Sequence, residues 1–105
     1  MENLSFTFKT PTAAGGTRKE ALVGVVASGN LEVLVERVLA PDTCTVDIAT
    51  PVRGFDDVWK AVVEDFISRR SPGGLRLSVN DGGARPDMVS LRLAQGARAI
   101  EEPET

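Results

Sequence analysis

The hydrophobic pattern of this chain changes period partway along, and that change restricts the fold more than any other feature. Phe55, Val58, Trp59, Val62, Val63, Phe66 and Ile67 recur at spacings of three and four, which draws one apolar stripe along an amphipathic helix over 55–70. Elsewhere the period is two. Leu4, Phe6 and Phe8 alternate with Ser5 and Thr7, and Leu31, Val33 and Val35 with Glu32, Leu34 and Glu36. Cys44, Val46 and Ile48 alternate with Thr45, Asp47 and Ala49, and Leu75, Leu77 and Val79 with Arg76, Ser78 and Asn80. Each alternation turns one face of a strand toward a core. Residues 21–27, rich in valine and glycine, read as a further strand, followed by one over 31–38. A sheet with one apolar face needs a cover, and helices supply it.

The punctuation agrees with this reading. Asp56 or Asp57 is placed to cap the first helix, Arg69 and Arg70 suit its C-terminal dipole, and Pro72 and Gly73 stop it. Trp59, central on the stripe, reads as core rather than as a surface for stacking a ligand. Farther on, Pro86 suits the first turn of a second helix whose apolar face would carry Met88, Val89, Leu93 and Ala97. Val89, Leu91 and Leu93 also fit a strand; the helix is preferred, ending near Gly96 or shortly after. Pro11, Gly15 and Gly16 mark residues 9–20 as a mobile connection, and the tail 98–105 is expected to be loose. The expected fold is thus α+β: a mostly antiparallel sheet of about five strands, packed on one face by two helices, and not a four-helix bundle. With 105 residues the chain fits a single domain over 1–105, with one modest core burying roughly 60–70% of the unfolded surface.

Much chemistry is excluded by composition. There is no histidine, which removes the commonest neutral-pH base, the Ser-His-Asp and Cys-His nucleophile systems, and the commonest metal ligand. Cys44 is the lone cysteine, so neither an intrachain disulfide nor a Cys/His zinc site can form. The acids follow no metal-binding spacing; Asp42, Asp47, Asp56 and Asp57 suit solvation and capping. "AAGG", "SPGG" and "NDGG" lack both the P-loop and the dinucleotide-binding arrangement and read as turns. A net charge of −3, with no basic run longer than Arg18-Lys19 or Arg69-Arg70, argues against a nucleic-acid surface. The longest apolar stretch, Ala21 to Ala27, is far short of the ~20 residues of a membrane helix. The opening MENLSFTFKT lacks the basic and apolar regions of a secretory signal, so the expected location is cytoplasmic.

One serine stands out by position. In "GVVASGNLEVLVE", residues 24–36, only Ser28, Gly29 and Asn30 are available to turn the chain between two apolar runs. With Gly29 and Asn30 as the central residues of a two-residue turn, glycine supplies the positive φ of a type II′ hairpin. Ser28 then opposes Leu31, Val26 opposes Val33 and Gly24 opposes Val35, placing Ser28 at the rim of the mostly apolar face. A three-residue turn would shift the register and turn Ser28 outward. Ser28 does not sit in a G-x-S-x-G elbow, because Val26 occupies the position two before it. Any chemistry at this hydroxyl must be activated from outside the chain.

The order of "LVGVVASGNLEVLVE", "VDIATPV", the helix around Trp59 and "LRLSVNDGGARPDMVSLRLAQG" resembles the delta subunit of malonate decarboxylase, a small acyl carrier protein. The gamma chain of citrate lyase, a related carrier, is more distantly similar through its own Ser-Gly-Asp hairpin. The resemblance covers about Leu4 to Gly96, and its most specific part is the serine-glycine hairpin. It implies that Ser28 carries, through a phosphodiester, a phosphoribosyl derivative of dephospho-coenzyme A, a phosphopantetheine-like prosthetic group whose thiol holds the acyl group. Gly29 and Asn30 would form the attachment turn; where the family usually has aspartate, Asn30 keeps the turn chemistry and drops one negative charge. The implied role is that of a non-catalytic phosphoprotein subunit of a malonate decarboxylase complex, loaded by a prosthetic-group transferase. An alpha acyl-transferase subunit would exchange acetyl for malonyl on it, and beta and gamma subunits would decarboxylate the malonyl group. The alternatives are a citrate-lyase-type carrier and a docking module with no covalent group.

Overall fold

A computed structural model of the chain describes residues 1–103. Its elements are β1 (Glu2–Lys9), β2 (Glu20–Gly24), β3 (Leu31–Arg37), β4 (Thr43–Thr50), α1 (Asp56–Arg69), β5 (Leu75–Asp81) and α2 (Pro86–Glu101). The strands form one sheet in the order β1-β4-β5-β3-β2. Every neighbouring pair is antiparallel except β4 and β5, which run parallel because α1 carries the chain back between them. The expected α+β sheet with two helices is therefore present, and it is not a helical bundle.

The alternation read from sequence decides which face is covered. Leu31, Val33, Val35, Cys44, Val46, Leu75 and Leu77 are fully buried, all on the face that α1 and α2 cover. The opposite face is polar and bonded strand to strand: Ser5 Oγ donates to Asp47 at 2.6 Å, and Arg76 reaches Glu36 at 2.9 Å. The helices bury the matching stripe, with Trp59, Val63 and Phe66 from α1 and Val89, Leu93, Ala97 and Ile100 from α2. α2 lies over β2 and β3, with α1 beside it.

Several boundaries differ from the sequence reading. α2 does not end near Gly96 but continues to Glu101, so residues 98–101 of the expected loose tail are helical. Gly96 is inside the helix because a side chain there has no room: a Cβ would lie 2.9 Å from Val35 Cγ2 and 3.7 Å from Val23 Cγ2. The glycine is a contact residue and not a stop. Glu104 and Thr105, also in the expected tail, lie outside the described residues. At α1, neither Asp56 nor Asp57 caps the start; Phe55 holds the N-cap position with no side-chain cap bond. The two carboxylates sit in the first turn instead, where the helix dipole still favours them.

The connection between β1 and β2, expected to be mobile, is fastened along its length. Thr10 N donates to Asp42 O at 2.7 Å and Ala14 N to Gly73 O at 2.9 Å. The Arg37 guanidinium donates to the carbonyls of Arg18, Ala14, Gly15 and, at the end of α2, Ile100. A planar fork of donors can hold several carbonyls at once.

Candidate functional site

The β2–β3 connection does not have the predicted register. Gly24 pairs with Glu32, Val23 with Val33 and Ala21 with Val35; the expected pairings of Ser28 with Leu31, Val26 with Val33 and Gly24 with Val35 do not form. β2 stops at Gly24, whose φ is +77°, a conformation that takes the chain out of the strand. A Cβ at that position would also collide with the Leu31 carbonyl oxygen. Residues 25–30 consequently form a loop, and Val25 N donates to Leu31 O at 3.1 Å where it begins.

Within this loop the turn is one residue earlier than predicted. Asn30 N donates to Ala27 O at 2.9 Å, so Ser28 and Gly29, rather than Gly29 and Asn30, are the central residues. Gly29 has a φ of +75° at the third position, where a type II turn requires it. Ser28 is exposed in the second position, with Val25 and Val26 beside it also exposed. No atom lies within 4 Å of a Cβ built on Gly29, so a bulky substituent on the neighbouring hydroxyl meets open space.

Two anchors hold the loop. The first is the turn between β5 and α2: Gly29 N donates to Gly82 O at 3.1 Å, and Gly82 N donates to Asn30 O at 2.8 Å. The second is Asn30, whose Oδ1 accepts from Leu31 N at 2.8 Å and from Arg92 Nε of α2 at 3.1 Å. Arg92 is steadied in turn by Gln95 Oε1 at 2.7 Å. Sequence reasoning found Ser28, Gly29 and Asn30 but missed Gly82 and Arg92. "NDGG" read only as a turn, and no local signal showed that the turn would meet a loop so distant in sequence. Asp81 makes that turn: its Oδ1 accepts from Ala84 N at 2.8 Å, while its Oδ2 accepts from Thr50 Oγ1 at 2.8 Å.

Cys44, the chain's lone thiol, is fully buried in the sheet, and burial pushes its pKa up to about 12. It is protonated and inaccessible at neutral pH, which makes it a core side chain and not a nucleophile. An anchored loop offering one hydroxyl to solvent, on a chain without histidine, has the layout of a carrier subunit and not of a catalytic one. Comparison with known proteins gives that class a particular form. Residues 18–100 match the family described as "Malonate decarboxylase delta subunit (MdcD)". The chain is similar to the malonate decarboxylase acyl carrier protein of Bradyrhizobium diazoefficiens, 61% identical over 97% of each chain. It is 48% identical to that of Xanthomonas campestris pv. campestris over 96% of each. A chain in the crystal structure of a Pseudomonas malonate decarboxylase hetero-tetramer in complex with malonate superposes with a TM-score of 0.82 at 39% identity, covering 95% of this chain and 99% of that one. The chain belongs to the malonate decarboxylase delta subunit family of acyl carriers.

Proposed function

We propose that this chain is the acyl carrier subunit of a cytoplasmic malonate decarboxylase complex and that Ser28 Oγ is the attachment point of its prosthetic group. The observation that carries the reading is the contrast between two side chains. A thioester carrier needs an accessible thiol; the chain's own thiol is buried at Cys44, whereas an accessible hydroxyl stands at Ser28. The thiol then has to arrive on a group joined to that hydroxyl. A phosphoribosyl-dephospho-coenzyme A joined by a phosphodiester would supply it, holding acetyl or malonyl as a thioester.

The residues present fit such a group. Ser28 faces solvent beside open space at Gly29, and the bonds through Gly82 and Asn30 hold the point of attachment against the sheet while the arm swings. Forming the ester needs a base for the hydroxyl proton and an activated phosphate, both supplied by the prosthetic-group transferase, since this chain has no histidine. The exposed Val25 and Val26 offer an apolar footing for that enzyme. The acyl-transferase (alpha) and decarboxylase (beta and gamma) subunits would then meet a tethered acyl group at high effective concentration. The hetero-tetrameric source of the similar Pseudomonas chain supports a role inside such an assembly.

Intact-mass measurement of the chain purified from its native host tests this reading. The expected result is a single added group on Ser28 that is absent in Ser28→Ala, with the variant's stability within about 0.5 kcal/mol of the parent because the side chain is exposed. An unmodified native chain, or a modification that survives Ser28→Ala, refutes it.

A further inference from the structure

A cleft of about 300 Å³ opens between α1, α2 and the β5–α2 turn, walled by Val52, Phe55, Val58, Trp59, Val62 and Val89. Val52, Phe55 and Val58 remain exposed at its mouth. These residues are the end of the helical stripe that finds no partner inside the fold. The carboxylate lining the cleft, Asp81, has both oxygens occupied by Thr50 and Ala84, so the walls present apolar and aromatic surface and no free charge. Gly83 and Ala84 also line it, and Gly82, immediately before them, is bonded in both directions to the Ser28 loop. The cleft and the attachment point thus share one turn.

We propose that this cleft seats the purine base of the group carried on Ser28, leaving the thiol-bearing end free; the inference rests on the carrier reading above. In a phosphoribosyl derivative of dephospho-coenzyme A the nucleoside lies between the attaching phosphate and the pantetheine chain. The base is therefore the part of the arm that stays near Ser28 and the turn it shares with the cleft. The volume lies at the small end of the roughly 300–1,000 Å³ usual for ligand pockets, suited to a single ring system and not to the whole arm. Planar, uncharged bases stack on aromatic side chains, which Phe55 and Trp59 provide. Phosphates and a malonyl carboxylate find no charge partner in these walls and stay in water. Docking the near end shortens the flexible part of the arm and raises the effective concentration of the thiol around the carrier.

Trp59 is the chain's only tryptophan and lines the cleft, so its fluorescence reports on an occupant. The experiment compares the full chain without the group, made in cells lacking the transferase, with the loaded chain, loading being verified by intact mass. Loading is expected to lower Trp59 emission. Phe55→Ala and Val58→Glu, loaded to the same added mass and with unchanged circular dichroism, are expected to return emission to the level of their own unloaded forms. A loaded parent chain with undiminished emission overturns the inference and leaves the carrier reading standing, as does quenching that persists in both variants. Emission that changes only when the partner subunits are added also overturns it, because the cleft would then be their docking site. A chain that takes up no group overturns both readings together.

Discussion

Replacing Gly82 by alanine separates a structural turn from a turn that positions Ser28. Gly82 is not one of the residues with positive φ, so its backbone conformation tolerates a side chain. The space does not: an added Cβ collides with the Ala27 carbonyl oxygen and lies 2.9 Å from that of Asn30. Both obstacles are backbone of the Ser28 loop and cannot rotate away. The loop must therefore lift off the β5–α2 turn, breaking the bonds Gly29 N to Gly82 O and Gly82 N to Asn30 O. Each backbone bond contributes about 0.5–1.5 kcal/mol net, and the freed groups on this exposed loop can still bond water, so the loss should total about 1–2 kcal/mol. In a domain of this size that lowers Tm by about 5–15 °C. Gly29→Ala is the comparison, since nothing crowds a Cβ there and its cost of about 1–2 kcal/mol is left-handed backbone strain alone. Urea unfolding measures both losses, and amide hydrogen exchange at residues 29 and 82 distinguishes their causes. Protection should vanish at both amides in Gly82→Ala. Parent-like stability with both amides still protected would refute the claim that Gly82 anchors the attachment loop.

Other outcomes follow from particular contacts. Asn30→Ala should cost about 1–3 kcal/mol in urea unfolding, because Leu31 N and Arg92 Nε lose their shared acceptor; Asn30→Asp keeps an acceptor and should remain near the parent. Gly96→Val should destabilise by about 1–3 kcal/mol, as α2 is pushed off Val35, and a variant as stable as the parent would show that the helix does not depend on this close approach. Cys44 should react with thiol reagents only on unfolding. Its folded pKa is raised from the ordinary 9.0 to about 12, so the buried-thiol contribution is intact below pH 9 and is lost as pH rises from 9 toward 12, on the order of 1.4 kcal/mol per pH unit. Cys44→Ala should flatten that alkaline limb.

The sequence by itself determined which residues form the core and what kind of elements carry them. Side-chain period is a property of the chain's own geometry, so the alternation of Cys44, Val46 and Ile48 and the stripe through Trp59 and Val63 were legible without any partner. Composition likewise excluded self-contained catalysis, because a missing histidine is missing in every fold. Ser28 was legible as the turn serine, and the segment order around it pointed to the family. Tertiary structure alone decided where the turn falls and what holds it. Nothing local in "VASGN" distinguishes a two-residue hairpin from a longer loop; the choice is made by Gly24 passing close to Leu31 and by Gly82 meeting Gly29 and Asn30. The same limit explains Gly96, which ends a helix by local propensity but continues one here because its missing side chain makes room for Val35. Period and composition are written residue by residue along a chain, whereas a glycine's reason for being glycine is often an atom far away in sequence.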